Sequence, residues 1–259
     1  MTHKQFAISL AKRAGKIMLA NFGLGMQRIM KKDGSPVTKT DLAINKMVVD
    51  EVAKYFPGHG VLGEEQSSLI ANSKYTWVCD PVDGTIPFSH GMPTCMFSLA
   101  LTRRGQPILG VAFDPFLNRM FWAEKGKGAF LNGKKIHVSS HKQLKGAYIS
   151  HGVWPTMKFQ TPHFIYNLVF KKRAEFFPIG SIVYNCMLLA AGELEGAVFA
   201  GATTHDVAAI KIIVEEAGGK VTDVFGHEQR YDLPVKGCII TNGKIHGQLL
   251  KFFKDELRG

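Results

Sequence analysis

The sequence predicts a mixed α/β fold that forms one compact unit from two halves, residues 1–143 and 144–259. Hydrophobic residues make up 46% of the 259 residues, which is enough to bury a large core. Apolar runs at helical spacing alternate along the chain with shorter apolar runs that are typical of strands. Glycine, proline and asparagine mark turns between these runs, and no repeat or low-complexity linker separates them.

Two helices open the chain. Phe6 and Leu10 begin a run of apolar residues at helical spacing, and this run predicts a helix that ends near residues 21–23. A second periodic segment runs to Tyr55, and Asp41 just before it is the predicted N-cap. Capping accounts for Asp41 without a further function, so a structural and a functional role both stay open.

The remainder of the first half is predicted to consist of strands. Val61 to Gly63 is a short apolar stretch, and Trp77 to Cys79 suit a buried strand. Pro81 cannot donate to a ladder and therefore marks the end of that strand. An antiparallel meander follows, with strands at residues 95–101, 108–113 and 119–123 and hairpin turns at residues 104–105, 117–118 and 132–133.

The second half alternates strands and helices. The predicted strands are residues 147–150, 176–178, 196–200 and 237–240, and the predicted helices are residues 161–172, 182–191, 203–217 and 245–253. Gly218-Gly219 ends the third of these helices. Asp206 lies in the first turn of that helix, where the helix dipole favours a carboxylate whether or not it has a function.

Carboxylates collect around the buried strand of the first half. Asp80 and Asp83 lie where the chain is predicted to leave regular structure, so their side chains can face one point. Mg²⁺ takes oxygen ligands from a few carboxylates, water and phosphate, which suits such a pair. The pair alone is a weak signal, because Asp-Gly is also turn chemistry. Glu64 precedes this strand by one short connection and is placed to bring a third carboxylate there.

Composition limits the classes of protein. No apolar run is long enough to span a bilayer and the N-terminus lacks a signal-peptide core, so we expect a cytoplasmic protein without membrane contact. Four cysteines without a Cys-x-x-Cys pair are predicted to be small buried hydrophobes. The net charge of +11 suits an anionic substrate and allows nucleic-acid binding. The basic clusters are short, and we expect solvated surface at residues 31–32, 103–104, 134–135 and 171–173.

Three acidic motifs together resemble one known family. Gly63-Glu64-Glu65, the segment from Asp80 to Thr85, and the segment from His205 to Ala209 followed by Gly218-Gly219 are similar in order and spacing to the inositol monophosphatase family. The resemblance covers nearly the whole chain and implies an alternating α-β-α-β-α layered sandwich that is usually dimeric. It also implies a magnesium-dependent, lithium-sensitive phosphatase, in a superfamily that includes fructose-1,6-bisphosphatases.

The resemblance also implies roles for individual residues. Glu64, Asp80 and the Val82 carbonyl would bind one Mg²⁺, and Asp80, Asp83 and Asp206 a second. A third, weaker metal would lie near Glu64. Thr85 and Asp41 would orient and deprotonate the attacking water. The backbone N–H groups of Gly84 and Thr85 would bind phosphate oxygens, which requires a small residue at position 84.

The sequence departs from the family on the substrate side. The family usually has a hydroxyl-binding glutamate where this chain has Phe199, and a tryptophan where it has His205. Gly180, Ser181 and Ile182 match the segment that lines the alcohol side of the pocket, and Phe199 would line it as well. We therefore expect a small polyol or sugar phosphate as substrate, with histidinol phosphate and fructose-1,6-bisphosphate as alternatives.

A different class of function is a nucleic-acid-binding or protein-binding module that uses the basic surface. Its only support is the net charge, and it requires the carboxylate set to be vestigial. All six acidic or hydroxyl positions of the set are present, namely Asp41, Glu64, Asp80, Asp83, Thr85 and Asp206. Other enzyme classes lack their motifs, because the chain has no Gly-x-Ser-x-Gly elbow, Walker loop or His-Glu-x-x-His.

Overall fold

A computed structural model describes residues 1–32, 34–152 and 161–257. The α-helices are α1 His3–Asn21, α2 Lys39–Tyr55, α3 Thr85–Ser89, α4 Thr161–Tyr166, α5 Ile182–Ala190, α6 Thr204–Glu216 and α7 His246–Glu256, and a π-helical segment, Asn167–Lys171, continues α4. The strands of the first half are β1 Ile29–Met30, β2 Pro36–Val37, β3 Gly60–Gly63, β4 Tyr75–Asp83, β5 Met96–Arg103, β6 Gln106–Asp114, β7 Arg119–Glu124, β8 Gly128–Leu131 and β9 Lys134–Ile136. Those of the second half are β10 Tyr148–His151, β11 Glu175–Phe176, β12 Gly196–Phe199, β13 Lys220–Thr222 and β14 Cys238–Thr241.

The larger sheet has seven strands in the order β3-β4-β5-β6-β7-β8-β9. Only β3 and β4 pair in parallel, and every later pair is antiparallel. Residues at the three predicted hairpins, Arg104, Asn118 and Asn132, have positive φ, as tight turns between antiparallel strands require. The predicted meander is therefore confirmed.

The smaller sheet has five strands in the order β11-β10-β12-β14-β13. Strand β10 pairs in parallel with both β11 and β12, whereas β14 is antiparallel to its two neighbours. All strands of this sheet follow residue 147, and all strands of the larger sheet precede residue 137. The predicted boundary between residues 143 and 144 falls in the connection between β9 and β10 and stays a prediction.

Three hydrophobic clusters set the order of the layers. Alternating residues of β4 face opposite sides, so Trp77 packs with α1 and α2 while Val78 packs with α5 and α6. In the smaller sheet, Ala197 faces α5 and α6, and Val198 faces α4 and α7. The layers are therefore two helices, the larger sheet, two helices, the smaller sheet and two helices. The predicted α-β-α-β-α sandwich is confirmed.

The structure corrects the predicted start of α2. Asp41 is not the N-cap, because the helix begins at Lys39 and Thr38 is the capping residue. Asp41 is the third residue of the helix, and its side chain accepts a hydrogen bond from the backbone of Thr38. The sequence signal was a capping box with threonine in the first position and aspartate in the fourth.

The structure also corrects the predicted end of β4. The strand continues through Pro81 to Asp83, with an irregular register between Asp80 and Asp83. Asp80 pairs with Ser98 and Asp83 with Met96, so β4 has one residue more than β5 in this interval. This is a β-bulge, and a proline is tolerated there because the ladder is interrupted.

Strands β1 and β13 and helix α3 were not predicted, since two to five residues carry little periodicity.

The burial of the cysteines and the exposure of the basic clusters can be compared with the predictions from the sequence. All four cysteines are buried free thiols, as predicted. The exposed basic clusters also agree, apart from Lys31, which is half-buried and forms ion pairs. In the part of the chain that the structure describes, no helix is both long and apolar enough to cross a membrane.

Candidate metal centre and active site

The bulge in β4 places Asp80 and Asp83 side by side. In a regular strand, residues three apart point to opposite faces, because side chains alternate. The additional residue between Asp80 and Asp83 removes that alternation, so both carboxylates lie on the same side. The Val82 N–H donates to Asp80 Oδ1 at 3.0 Å, which fixes the orientation of the Asp80 side chain.

Two helix starts supply the carboxylates on either side of this pair. Asp41 and Asp206 are each the third residue of a helix, α2 and α6, and each completes a capping box with a threonine. Asp41 accepts from the Thr38 N–H at 2.9 Å, and Asp206 accepts from the Thr203 N–H at 2.6 Å and its hydroxyl at 2.8 Å. Capping therefore fixes both side chains before any ligand binds.

Asp83 also binds the start of a third helix, α5. Asp83 accepts hydrogen bonds from the N–H groups of Ile182 at 3.2 Å and Val183 at 2.9 Å, at the beginning of α5. The Ser181 hydroxyl also donates to Asp83, and it accepts from the Tyr184 N–H at 3.0 Å. The carboxylate thus anchors the N-terminus of α5, where negative charge is favoured by the helix dipole.

Asp80, Asp83 and Asp206 form the acidic cluster of the site. One carboxylate oxygen from each lies within 4.8 Å of the others. Burial raises the pKa of Asp80 well above its ordinary value, and repulsion by Glu64, Asp83 and Asp206 adds to this. Burial and the charge of Asp206 raise the pKa of Asp83 to about 7 in spite of its three hydrogen bonds. Burial also raises the pKa of Asp206.

The repulsion among these carboxylates indicates whether a metal ion fits the site. Three carboxylates so close together, two of them buried and Asp206 half-buried, repel one another unless protons or a cation neutralise them. All ligand atoms are oxygens, the type that Mg²⁺ prefers and soft transition metals do not. The residues present therefore fit a magnesium site.

Glu64 lies beside the cluster rather than within it. It interacts electrostatically with Asp80, but its Oε1 accepts a hydrogen bond from Lys31 Nζ at 2.8 Å. Lys31 also contacts Glu65 at 2.6 Å. Burial alone would lower the pKa of Lys31, but hydrogen bonds to Glu64 and Glu65 together raise it. Lys31 was predicted to be solvated surface, and only tertiary contact between the β1–β2 hairpin and this loop reveals its role.

Asn45 is a second residue that sequence reasoning missed. Its amide donates to the Gln66 carbonyl at 2.8 Å and accepts from the Glu65 N–H at 3.2 Å. A Cβ on Gly63 would lie 2.3 Å from Asn45 Oδ1, so glycine is required for this close approach. Asn45 therefore holds the loop that carries Glu64 against α2. It is one helical turn after Asp41 on the buried face, the one sequence signal that was available.

Thr85 joins the cluster to Asp41. The Thr85 hydroxyl lies 3.1 Å from Asp41 Oδ1 and 3.1 Å from the Val82 carbonyl oxygen. Asp41 is fully buried, and this burial raises its pKa although Thr38 and Thr85 donate to it. The predicted Thr85–Asp41 pair is therefore in contact.

Gly84 and Thr85 begin the short helix α3 directly after the cluster. Gly84 has a φ of 87°, and an added Cβ would lie 2.9 Å from Ser181 Cβ and 3.0 Å from the Thr94 carbonyl oxygen. Only glycine satisfies both conditions. The first N–H groups of a helix have no partner within it, so those of Gly84 and Thr85 suit an anion beside the cluster.

The residues predicted for the alcohol side lie in different settings. Gly180 is exposed, whereas Ser181 and Ile182 are buried and belong to the start of α5. The Ser181 hydroxyl proton is already donated to Asp83. Phe199 is only 2% exposed and packs in the cluster between the two sheets, so its ring is part of the core. Substrate contacts by these residues stay predictions.

The five-layer fold and its acidic cluster agree with a phosphoric monoester hydrolase, the class to which the relatives of this chain belong. The profile of the inositol monophosphatase family matches residues 2–258, and the chain belongs to this family. Magnesium dependence is a property of the family and agrees with the acidic cluster.

Individual relatives cover almost the whole chain. A "fructose-1,6-bisphosphatase/inositol-1-monophosphatase" of Thermotoga maritima is 35% identical over 253 residues, which are 97% of this chain and 95% of that protein. "Nus factor SuhB" of Escherichia coli is 29% identical over 257 residues, covering 97% and 95% of the two chains. The solved structure of a Thermotoga maritima IMPase superposes with a TM-score of 0.90 at 34% identity and covers 100% and 99% of the two chains.

Proposed function

We propose that the protein hydrolyses a small polyol or sugar phosphate with magnesium ions bound at the acidic cluster. The observation that carries this proposal is the grouping of Asp80, Asp83 and Asp206 oxygens within 4.8 Å, next to the start of α3, whose first N–H groups suit an anion. The matched family and its phosphatase relatives support the reaction class.

Two magnesium sites would share Asp80. Glu64, Asp80 and the Val82 carbonyl would hold one ion, and Asp80, Asp83 and Asp206 the other. A third, weaker site would lie at Glu64, where Lys31 Nζ is 2.8 Å away and competes with a cation. When bound, Mg²⁺ supplies positive charge to the phosphate and makes water more acidic.

Thr85 and Asp41 would position the attacking water. A hydroxyl has one proton, and a charged carboxylate is a stronger acceptor than a neutral carbonyl, so Thr85 donates to Asp41 rather than to Val82. The Thr85 oxygen can then accept a hydrogen bond from the attacking water. The raised pKa of Asp41 makes it a better base for the proton that leaves.

Gly84 would bind the phosphate through its backbone. The left-handed φ of Gly84 turns the chain from β4 into α3, directly after Asp83. An N–H group held in this way contributes to affinity without a charged side chain, which would compete with the cations for the carboxylates.

A phosphate-release assay over a panel of phosphomonoesters tests this function. The panel contains myo-inositol 1-phosphate, glycerol 2-phosphate, histidinol phosphate and fructose-1,6-bisphosphate, each with and without Mg²⁺. We expect release that a chelator abolishes and that added Mg²⁺ restores. Absence of release from every ester at saturating Mg²⁺ would contradict the proposal. The same panel ranks the two alternatives, histidinol phosphatase and fructose-1,6-bisphosphatase.

A binding function is the second candidate. The clusters at residues 103–104, 134–135 and 171–173 are exposed, and one relative is named a Nus factor. Filter binding of RNA at two salt concentrations separates this role from catalysis, because phosphate contacts weaken steeply with salt. We also propose a homodimer in the cytoplasm, and light scattering of the purified protein tests the dimer.

A further inference from the structure

An apolar cavity of about 560 Å³ lies next to the acidic cluster. Its walls come from the segment around β3, the loop between β12 and α6, and the loop at residues 232–237. Leu69 and Leu233 line it, with 68% and 53% of their surfaces exposed. A cavity of this size matches those that bind small molecules.

The cavity shares structural elements with the site. Thr203 lines it and also donates two hydrogen bonds to Asp206, at 2.6 and 2.8 Å. Leu62 also lines the cavity and is two residues before Glu64. Two of the segments that line the cavity therefore also hold predicted metal ligands.

The loop at residues 232–237 is fixed rather than loosely attached. The Thr204 hydroxyl donates to the Leu233 carbonyl at 2.7 Å, which ties the loop to the first turn of α6. Gln229 accepts from the Lys236 N–H at 2.7 Å and donates to the Gly237 carbonyl at 2.9 Å. The backbone at Leu233 is thus fixed beside the cavity that this residue lines.

The chemistry of the walls selects the ligand. Leucine, alanine, proline and valine side chains form most of the surface, and Asp232 is engaged by Arg230 at 2.6 Å. Apolar walls bind a flat hydrophobic ring well and distinguish poorly among hydroxyl groups. Lys236 adds a positive charge to the lining, which suits an ester whose other end is a phosphate.

We propose that this cavity receives an aromatic ring of the leaving alcohol, so that phosphomonoesters of ring-bearing alcohols are preferred substrates. The inference rests on the proposed function and extends its range beyond polyols. In the reaction, the water oxygen forms a bond to phosphorus and the phosphorus–oxygen bond to the alcohol breaks. One proton of the water ends on the alcohol oxygen, and inorganic phosphate and the free alcohol leave.

Benzyl phosphate and ethyl phosphate test the proposal, because both are esters of primary alcohols without a further hydroxyl group and differ in the ring. We expect wild-type kcat/KM to be about 10-fold higher for benzyl phosphate, the scale of one good apolar contact. Leu233→Asn should reduce this preference about 10-fold. Leu117→Asn is the matched control, since Leu117 is 62% exposed on the β6–β7 hairpin, and its ratio should equal that of the wild type.

Binding provides a readout that does not depend on turnover. Calorimetry with benzylphosphonate and methylphosphonate, in the presence of Mg²⁺, should show a preference for the benzyl compound that Leu233→Asn removes. Equal hydrolysis of the two esters, with a ratio that Leu233→Asn does not change, would overturn the assignment of the cavity alone. Failure of the wild type to hydrolyse any ester would overturn the proposed function, and this inference with it.

Discussion

Ser181 and Asp83 are 98 residues apart in the sequence, and the Ser181 hydroxyl donates directly to the Asp83 carboxylate. The same carboxylate accepts from the N–H groups of Ile182 and Val183 and belongs to the acidic cluster. One side chain therefore couples the orientation of α5 to the metal centre. A change at Asp83 affects both, so its effects on folding and on metal binding have to be separated by measurement.

Asp83→Asn should leave a folded protein that releases almost no phosphate. Asparagine keeps the size of the side chain and one acceptor oxygen for α5, but it lacks the charge that holds a cation. Circular dichroism checks the fold, and a release assay at saturating Mg²⁺ checks turnover. Asp223→Asn is the control, because the buried Asp223 also accepts backbone N–H groups, from Phe225 and His227. Near-normal turnover of folded Asp83→Asn would refute the assignment of Asp83 as a ligand.

Thr85→Ala should lower kcat by about 10²-fold or more and change KM comparatively little, since general-base contributions are of this size. The reason is the contact between the Thr85 hydroxyl and Asp41, at 3.1 Å. Thr85→Ser keeps the hydroxyl and should retain most of the activity. A rise in KM alone, with kcat unchanged, would make Thr85 a binding residue instead.

Asn45→Ala should raise the Mg²⁺ concentration needed for half-maximal activity while kcat at saturating Mg²⁺ changes less. The variant removes both hydrogen bonds that hold the Glu64 loop, to Gln66 and from Glu65. Titration of activity with Mg²⁺ measures the shift. Asn45→Asp keeps the acceptor oxygen, so its half-maximal Mg²⁺ concentration should lie between those of the wild type and Asn45→Ala. An unchanged Mg²⁺ dependence would show that the loop keeps its position without Asn45.

His246→Gln should remove part of the loss of stability in acid. His246 is buried between the hydroxyls of Thr222 and Thr241, and burial together with Lys220 and Lys211 lowers its pKa to about 4. The unfolded chain binds this proton near pH 6.5, so the neutral ring stabilises the fold above that pH. This stabilisation is lost as the pH falls towards 4. At about 1.4 kcal/mol per pKa unit, it amounts to about 3 kcal/mol.

Urea unfolding of the wild type and His246→Gln at several pH values measures this effect. The difference between the two free energies of unfolding should shrink as the pH falls from about 6.5 to about 4. A difference that is the same at all pH values would contradict the lowered pKa. Carboxylates titrate in both proteins and cancel in the comparison.

Phe199 should make the wild type weakly selective among polyol phosphates, because no carboxylate stands at that position to bind a hydroxyl. We expect kcat/KM for myo-inositol 1-phosphate and glycerol 2-phosphate to differ by about 10-fold, the scale of apolar discrimination. A preference for the inositol ester of about 10³-fold would require a hydroxyl-binding group elsewhere. Phe199→Glu does not test this simply, since a carboxylate at this buried position would destabilise the core.

Local patterns were enough to predict the elements that dominate the fold. The helix that contains Phe6 buries one face, and the strand that contains Trp77 carries apolar residues that are buried in the sheet. The spacing of apolar residues along the sequence follows this burial. Asp206 was correctly predicted in the first turn of α6 from the apolar periodicity of that helix, and the structure adds a capping box with Thr203. The capping box at Thr38 was overlooked, which put the start of α2 three residues too late.

Tertiary structure decided how the site is assembled. The sequence shows that Asp80 and Asp83 are three residues apart, but only pairing with β5 creates the bulge that turns both to one side. Lys31 looks like any surface lysine until the β1–β2 hairpin brings it to Glu64. Phe199 ends a strand, and only packing between the two sheets shows that its ring is buried. Backbone periodicity and capping depend on neighbours in the chain, whereas strand register, ion pairing and burial depend on contacts between residues far apart in the sequence.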